Sequence, residues 1–302
     1  MTSEEIRVAP PLSIGEPGRA ASELTAGRPP ALLTNADHEL SECAIDGVEV
    51  RAASIRGLMH RYREEPRQDR FAISYEADHR TLLIAVCDGV GSLGQSHVAA
   101  EFASRALLEA YAATRDWSAS VMEVNSALAA LAEKTACEAG IESDAKQFGM
   151  KTTLVGAAVD LAASPPTASL VWTDDSVVWG LSSGTWTMLS TSDDPTEPVL
   201  HTGSVRGLPH LEPRFQQAVV ALESTSGIFV MSDGVGVPLA QSSEVQATLA
   251  QWWNEPPRVF AFGEQVGFAR KSHMDDRTVV GVWFPRDERD AHMVWPTEAA
   301  EV

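Results

Sequence analysis

Two aspartate–glycine pairs share one local setting. Asp88-Gly89 follows the apolar run Leu82–Cys87, and Asp233-Gly234 follows Ile228–Met231 and Ser232. Asp-Gly after a strand ordinarily makes a hairpin turn, because Gly supplies positive φ and Asp bonds its own backbone. Here both pairs continue as Asp-Gly-Val-Gly with no strand returning at once, so turn chemistry alone does not account for them. Asp69 lies just before the apolar run Phe71–Tyr75, and Asp275 just before Thr278–Phe284. Four acids thus stand at the ends of strands that read as core. Carboxylates converging from strand ends repel one another unless cations stand between them. Mg2+ and Mn2+ suit such an all-oxygen set. Two such ions about 3.5–4 Å apart make a phosphoester hydrolase, in which a water between them loses a proton and attacks phosphorus in line. A glycine after the ligand lets the backbone come close, so its carbonyl can also ligate.

The elements that would position these acids follow from periodicity. Val48–Ile55, Phe71–Tyr75 and Thr81–Cys87 read as strands, the last two joined as a hairpin through Glu76–His79. Thr81–Cys87 is apolar throughout, as a strand covered on both faces would be. Val98, Phe102 and Ala106, then Val121, Val124, Leu128 and Leu131, mark two amphipathic helices, with Ser118 as the expected cap of the second. Their short connection predicts an antiparallel helix pair. Thr152–Val159, Ala168–Thr173, Ser176–Leu181 and Trp186–Leu189 are expected to form an antiparallel meander, and Gln217–Leu222 with Gly227–Ser232 another pair. Helices are expected over 242–254 and 258–271, and a last strand over Thr278–Phe284. Grouped helices and strands without βαβ alternation indicate an α+β layer protein, its sheets covered by helix pairs.

Composition narrows the function classes. Of 302 residues, 42 are Asp or Glu and 23 Lys or Arg, a formal net charge of −19. That excess argues against binding nucleic acid or an anionic membrane surface. The three cysteines lie far apart, so there is no disulfide framework or zinc ribbon, and an odd count fits a reducing cytoplasm. No apolar run is long enough to span a membrane, and the first residues lack the pattern of a signal peptide. Residues 1–44, punctuated by Pro and Gly, are expected to be a disordered tail. The folded domain is expected over 45–285, with a short polar tail over 286–302.

Five stretches in order resemble the metal-dependent protein phosphatases of the PPM (type 2C) family, nearest its bacterial branch. They are Arg67–Phe71, Ala85–Ser92, Thr152–Leu154, Met231–Val235 and Asp275–Val280. The resemblance implies a four-layer αββα sandwich with two antiparallel sheets flanked by helix pairs. It also implies a serine/threonine phosphoprotein phosphatase that uses a metal-bridging hydroxide and two Mg2+ or Mn2+ ions. Asp88 would bridge both ions, the Gly89 carbonyl would join it, Asp233 and Asp275 would complete the first, and Asp69 would help to hold the second. Its partner would be a phosphoprotein substrate, and it would oppose a kinase in a bacterial cytoplasm as a monomer.

The chain departs from the family pattern at several positions. Gln68 stands where many members have Glu, and Asp276 where the closing motif usually has Asn. Asp174–Val177 replaces Gly-Asp-Ser-Arg, and Glu64 falls where the phosphate-binding Arg is usual. Six arginines, Arg51, Arg56, Arg61, Arg63, Arg67 and Arg70, crowd this region. The planar guanidinium fork fits phosphate, which makes Arg63, then Arg61 and Arg67, with His60, the candidates for phosphate. Two other readings stand beside the enzyme: a phosphatase-fold binding or regulatory module with little turnover, and a di-metal phosphoesterase for small molecules. His97 and His273 are expected at the surface, Trp252-Trp253 as helix core and rim, and Cys87 as a small packing residue.

Overall fold

The computed structural model describes residues 11–23, 36–90, 94–140, 149–191 and 207–285. A short helix α1 (Gly18–Glu23) precedes strands β1 (His38–Ile45) and β2 (Val48–Ile55). A one-turn helix α2 (Leu58–Tyr62) leads to β3 (Arg70–Glu76) and β4 (Thr81–Cys87). The long helices α3 (Ser96–Thr114) and α4 (Trp117–Glu138) follow. Then come β5 (Val155–Asp160), β6 (Thr167–Trp172), β7 (Val177–Ser182), β8 (Thr185–Met188), β9 (Gln216–Ala221) and β10 (Gly227–Met231). Helices α5 (Asp233–Gln241), α6 (Ser243–Trp252) and α7 (Val259–Val266) precede the last strand, β11 (Arg277–Trp283).

Two antiparallel sheets result, ordered β1-β2-β11-β10-β7-β8 and β3-β4-β5-β6-β9. The sequence dictates their stacking. In β4, Leu82, Ile84 and Val86 face the core between the sheets, while Leu83, Ala85 and Cys87 face the core under α3 and α4. In β10, Ile228 and Val230 face the inter-sheet core, while Phe229 and Met231 face a third core under α5, α6 and α7. Successive strand side chains point to opposite faces, so fully apolar strands give the four layers αββα. The expected layers are therefore present, with three helices rather than a pair on one side.

The α3–α4 pair forms as expected, but Asp116 rather than Ser118 caps α4. The Asp116 carboxylate accepts from the N–H groups of Ser118 and Ala119, a cap worth about 1 kcal/mol. The expected meander is split: β5 and β6 pair in one sheet and β7 and β8 in the other. Likewise β9 pairs with β6 and β10 with β7 and β11, not with each other. Spacing and turn signals mark strands without stating which sheet receives them. The 258–271 helix is shorter than expected, and α2 and α5 fall in stretches read as connections.

The expected disordered tail over 1–44 needs correction. β1 occupies 38–45 and pairs along its whole length with β2. Further upstream, the Leu12 carbonyl accepts from Ala269 N, Ile14 N donates to the Ala269 carbonyl, and Lys271 N donates to the Glu16 carbonyl. Ile14, 2 % exposed, enters the core under α5–α7. Strand β1 alternates weakly and lies at a sheet edge, so its sequence lacks the apolar run of a central strand. Residues 1–10, 24–35 and 286–302, with the remainder of the two expected tails, lie outside the described residues.

Candidate active site and metal centre

Each sheet delivers two of the four acids. Arg70 pairs with Cys87 in the β3–β4 ladder, so Asp69 and Asp88 are the next opposed positions beyond it. Met231 pairs with Val279, so β10 and β11 run out together towards Asp233 and Asp275. The Asp88 peptide is pinned: its carbonyl accepts from Thr153 N and Thr152 Oγ1, both at 2.8 Å. This gives the Thr152-Thr153 stretch a structural reason. Ser232 joins the sheets, donating from Oγ to Asp69 Oδ2 at 2.7 Å and accepting from Thr278 N at 3.0 Å. Asp233 opens α5, an element legible in the sequence only as a connection.

The acids crowd one another. Asp88 interacts electrostatically with both Asp69 and Asp233, and burial beside like charges favours protons on some of these carboxyls. Burial, followed by the charges of Asp69, Asp233 and Asp275, holds Asp88 well above the usual carboxylate range. Burial and Asp276 raise Asp69 to about 7, and burial, Asp175 and Asp275 raise Asp233 to about 8. Asp275 is the open member, its side chain 54 % exposed. Three buried oxygens here, Asp69 Oδ1, Asp233 Oδ1 and Gln68 Oε1, have no hydrogen-bond partner among the described residues. Buried polar atoms are rarely left so. Unpartnered hard oxygens among acids that cannot all ionise fit divalent cations, which would replace the protons.

Behind the acids lies an arrangement that sequence reading misses. Asp276, 2 % exposed, accepts at Oδ1 from Gly57 N at 2.6 Å and at Oδ2 from Gln68 N at 2.5 Å. His60 Nδ1 lies 2.8 Å from Asp276 Oδ1. Burial alone would lower the His60 pKa, but the nearby carboxylate of Asp276 outweighs it and raises His60 to about 9. Burial opposes the Asp276 charge too, yet His60 and the backbone N–H groups hold its carboxyl below the usual range. Gly57 is required where the segments meet, since a Cβ there would lie 2.2 Å from the Asp275 carbonyl carbon. His60, Asp275 and Asp276 also form a group whose ligand atoms lie within 4.8 Å of one another.

The arginine-rich stretch is largely consumed by structure. Arg67, expected as a phosphate candidate, is buried and donates to the Ser54 carbonyl at 2.8 Å and to Glu39 at 2.5 Å. Arg56 pairs with Asp37 and Arg51 with Glu42 and Glu49. Arg70, also buried, donates to the Asp69 carbonyl. Three acids of the 37–42 region, assigned from sequence to a tail, pair with Arg51, Arg56 and Arg67. His60 is turned inward to Asp276, which corrects its expected exposure to phosphate. Arg61 contacts His38 at 3.1 Å and is partly buried, and Arg63, the C-cap of α2, is exposed. Gly89 is buried and bridges Thr152. Cys87 is buried, and burial pushes its thiol pKa far up, as befits a packing residue. Trp253 is core and Trp252 partly buried. His97 and His273 are both partly buried.

The protein phosphatase 2C family model matches residues 56–260, more than half of the chain. The chain belongs to the protein phosphatase 2C family, and thus to the metal-dependent serine/threonine phosphatases. Among solved structures, a bacterial serine phosphatase superposes with a TM-score of 0.57 at 17% identity, covering 79% of this chain and 98% of that one. The serine/threonine phosphatase Stp1 from Staphylococcus aureus gives 0.52 at 16% identity, covering 79% and 96%. RsbX, in complex with magnesium, gives 0.50 at 12% identity, covering 82% and 100%. At these identities the likeness is one of fold. No curated protein matches the sequence. Among the described residues no helix is long and apolar enough to cross a membrane.

Proposed function

We propose that this chain removes phosphate from phosphoserine or phosphothreonine in a protein substrate, using two Mg2+ or Mn2+ ions held by Asp69, Asp88, Asp233, Asp275 and the Gly89 carbonyl. The observation that carries this reading is the convergence of four strand-end aspartates, two of which, Asp69 and Asp233, hold a buried oxygen without a partner among the described residues. The magnesium complex of RsbX, a protein of the same fold, supports the choice of cation. When bound, the ions supply charge neutralisation at phosphorus and activation of a water.

The chain's own residues divide the remaining work. Asp88 interacts with both Asp69 and Asp233 and is the acid that would serve both ions. Ser232 orients Asp69 by its hydrogen bond. Thr152 and Thr153 fix the peptide that presents Asp88 and Gly89. Arg63 is the exposed cation on α2 and orients the substrate phosphate. The enzyme acts as a monomer and opposes a serine/threonine kinase.

The test is hydrolysis of a phosphothreonine peptide and an aryl phosphate by purified protein. Turnover should require Mn2+ or Mg2+ and disappear on chelation and in Asp88→Asn. Turnover that survives both would overturn the reading. Phosphopeptide binding without turnover or metal uptake would instead make the chain a binding module.

A further inference from the structure

The strongest unassigned arrangement is the one around Asp276. This side chain is not one of the four proposed ligands. It joins three chain segments: Gly57 at the start of α2, Gln68 at the first acidic stretch, and its own closing loop. Asp69 N lies within 3.4 Å of Oδ2 as well. The backbone of the same loop is held on both sides, since Asp276 N donates to Asp275 Oδ1 at 2.9 Å and Met59 N donates to the Met274 carbonyl at 2.9 Å. His60, one turn along α2, folds back onto the same carboxylate.

A carboxylate can accept several N–H donors at once, and those bonds are the strong, charge-assisted kind. A carboxylate buried without a polar neighbour is costly, and the His60 ring stands against this one, Nδ1 2.8 Å from Oδ1. The carboxylate thus fixes the backbones that carry Asp69 and Asp275 relative to each other, and fixes the start of α2 against them.

We propose that Asp276 is a positioning residue of the metal centre, with His60 as its packing partner. The inference rests on the proposed metal centre. Partners that orient metal ligands change metal affinity by about 10–100-fold when removed.

The test compares Asp276→Ala with Asp276→Asn by calorimetric titration of the metal-free protein with Mn2+. Both variants remove the same charge, but Asp276→Asn keeps the side chain and one of its two acceptor oxygens. Asp276→Ala should bind Mn2+ at least about tenfold more weakly than wild type, and Asp276→Asn should recover part of that loss. Equal weakening in both, or none in either, would overturn the positioning role.

The His60–Asp276 contact is tested without metal, by thermal melting. His60→Leu should lower the melting temperature, and His60→Leu with Asp276→Asn should restore most of it, because the second change removes the stranded charge. Additive losses would overturn the pairing. Should His60→Leu not fold, His60→Gln, which keeps a donor without the charge, takes its place in the same cycle. If wild-type protein takes up no Mn2+, the proposed metal centre itself falls, while the melting cycle still decides the pairing.

Discussion

The Arg277 guanidinium holds the Gly234 carbonyl at 2.7 Å from Nη1, one residue beyond Asp233, and the His273 carbonyl at 2.7 Å from Nη2, two residues before Asp275. One buried side chain, 4 % exposed, thereby ties together the two loops that carry these acids. The Phe268 ring lies beneath it, 4.1 Å from the guanidinium carbon. Burial lowers the Arg277 pKa to about 10, with Asp275 and Asp233 opposing that fall, so the group remains a cation at neutral pH. Gly234 permits the close approach: a Cβ there would lie 1.9 Å from the Asp276 carbonyl oxygen.

Arg277→Met should therefore destabilise metal-free protein by about 2–5 kcal/mol, since two buried carbonyls lose charged donors. Arg277→Lys should recover less than half of that, because an ammonium does not span both carbonyls as the fork does. Urea denaturation checks both values. A loss below about 0.5 kcal/mol for the Met variant would place Arg277 among neutral surface substitutions.

The segment before α1 makes a second expectation. Ile14 is buried against the α5–α7 core, and the backbone around it bonds Ala269 and Lys271, on the approach to Asp275. Ile14→Ala should cost about 2–5 kcal/mol, the usual range for truncating a buried aliphatic side chain. Removal of residues 1–16 should cost more, because the main-chain bonds go as well. Denaturation midpoints of the three proteins give the comparison.

The pH dependence of metal-free protein follows from the raised acids. Asp69 and Asp233 move up from 3.8 to about 7 and about 8. The folded state therefore keeps protons that the unfolded chain sheds, and stability falls as pH rises from about 4 through 8. His60, raised from 6.5 to about 9, adds stability that is full below 6.5 and lost as pH rises through 9. Asp276, held low, acts oppositely, its contribution disappearing only as pH falls below the usual carboxylate range. Melting temperatures without metal should decline between pH 5 and pH 8 on the order of degrees. Mn2+ should stabilise more at pH 8 than at pH 6, because it competes with those protons. A flat profile without metal would contradict the crowded-acid picture.

The arginines should separate by burial. Arg67→Ala should destabilise the fold by about 2–4 kcal/mol, leaving Glu39 and the Ser54 carbonyl without their donor. Arg63→Ala should leave the melting temperature unchanged and raise KM for a phosphopeptide roughly tenfold, the worth of one charge-assisted bond. Steady-state kinetics beside melting curves distinguish the two.

The four aspartates were legible because each interrupts a strongly apolar strand, and the strands themselves dominate the pattern of this sequence. Layer order was legible for the same reason: an all-apolar strand such as Thr81–Cys87 must be covered on both faces. What was illegible is tertiary pairing. Nothing local in Glu39 or Asp37 announces that they neutralise Arg67 and Arg56, so β1 reads as tail and the arginines as a free patch. Asp276 and His60 are far apart in sequence, and their coupling exists only once α2 docks on the closing loop. The path of β6 into β7, from one sheet to the other, is likewise decided by packing rather than by turn residues.

The central claim is that cations stand among Asp69, Asp88, Asp233 and Asp275. Anomalous scattering at the manganese edge from crystals soaked in Mn2+ tests it most directly. The expected result is two peaks among these four carboxylates, both lost in Asp88→Asn. No peak there, or a single peak at His60, Asp275 and Asp276, would contradict it.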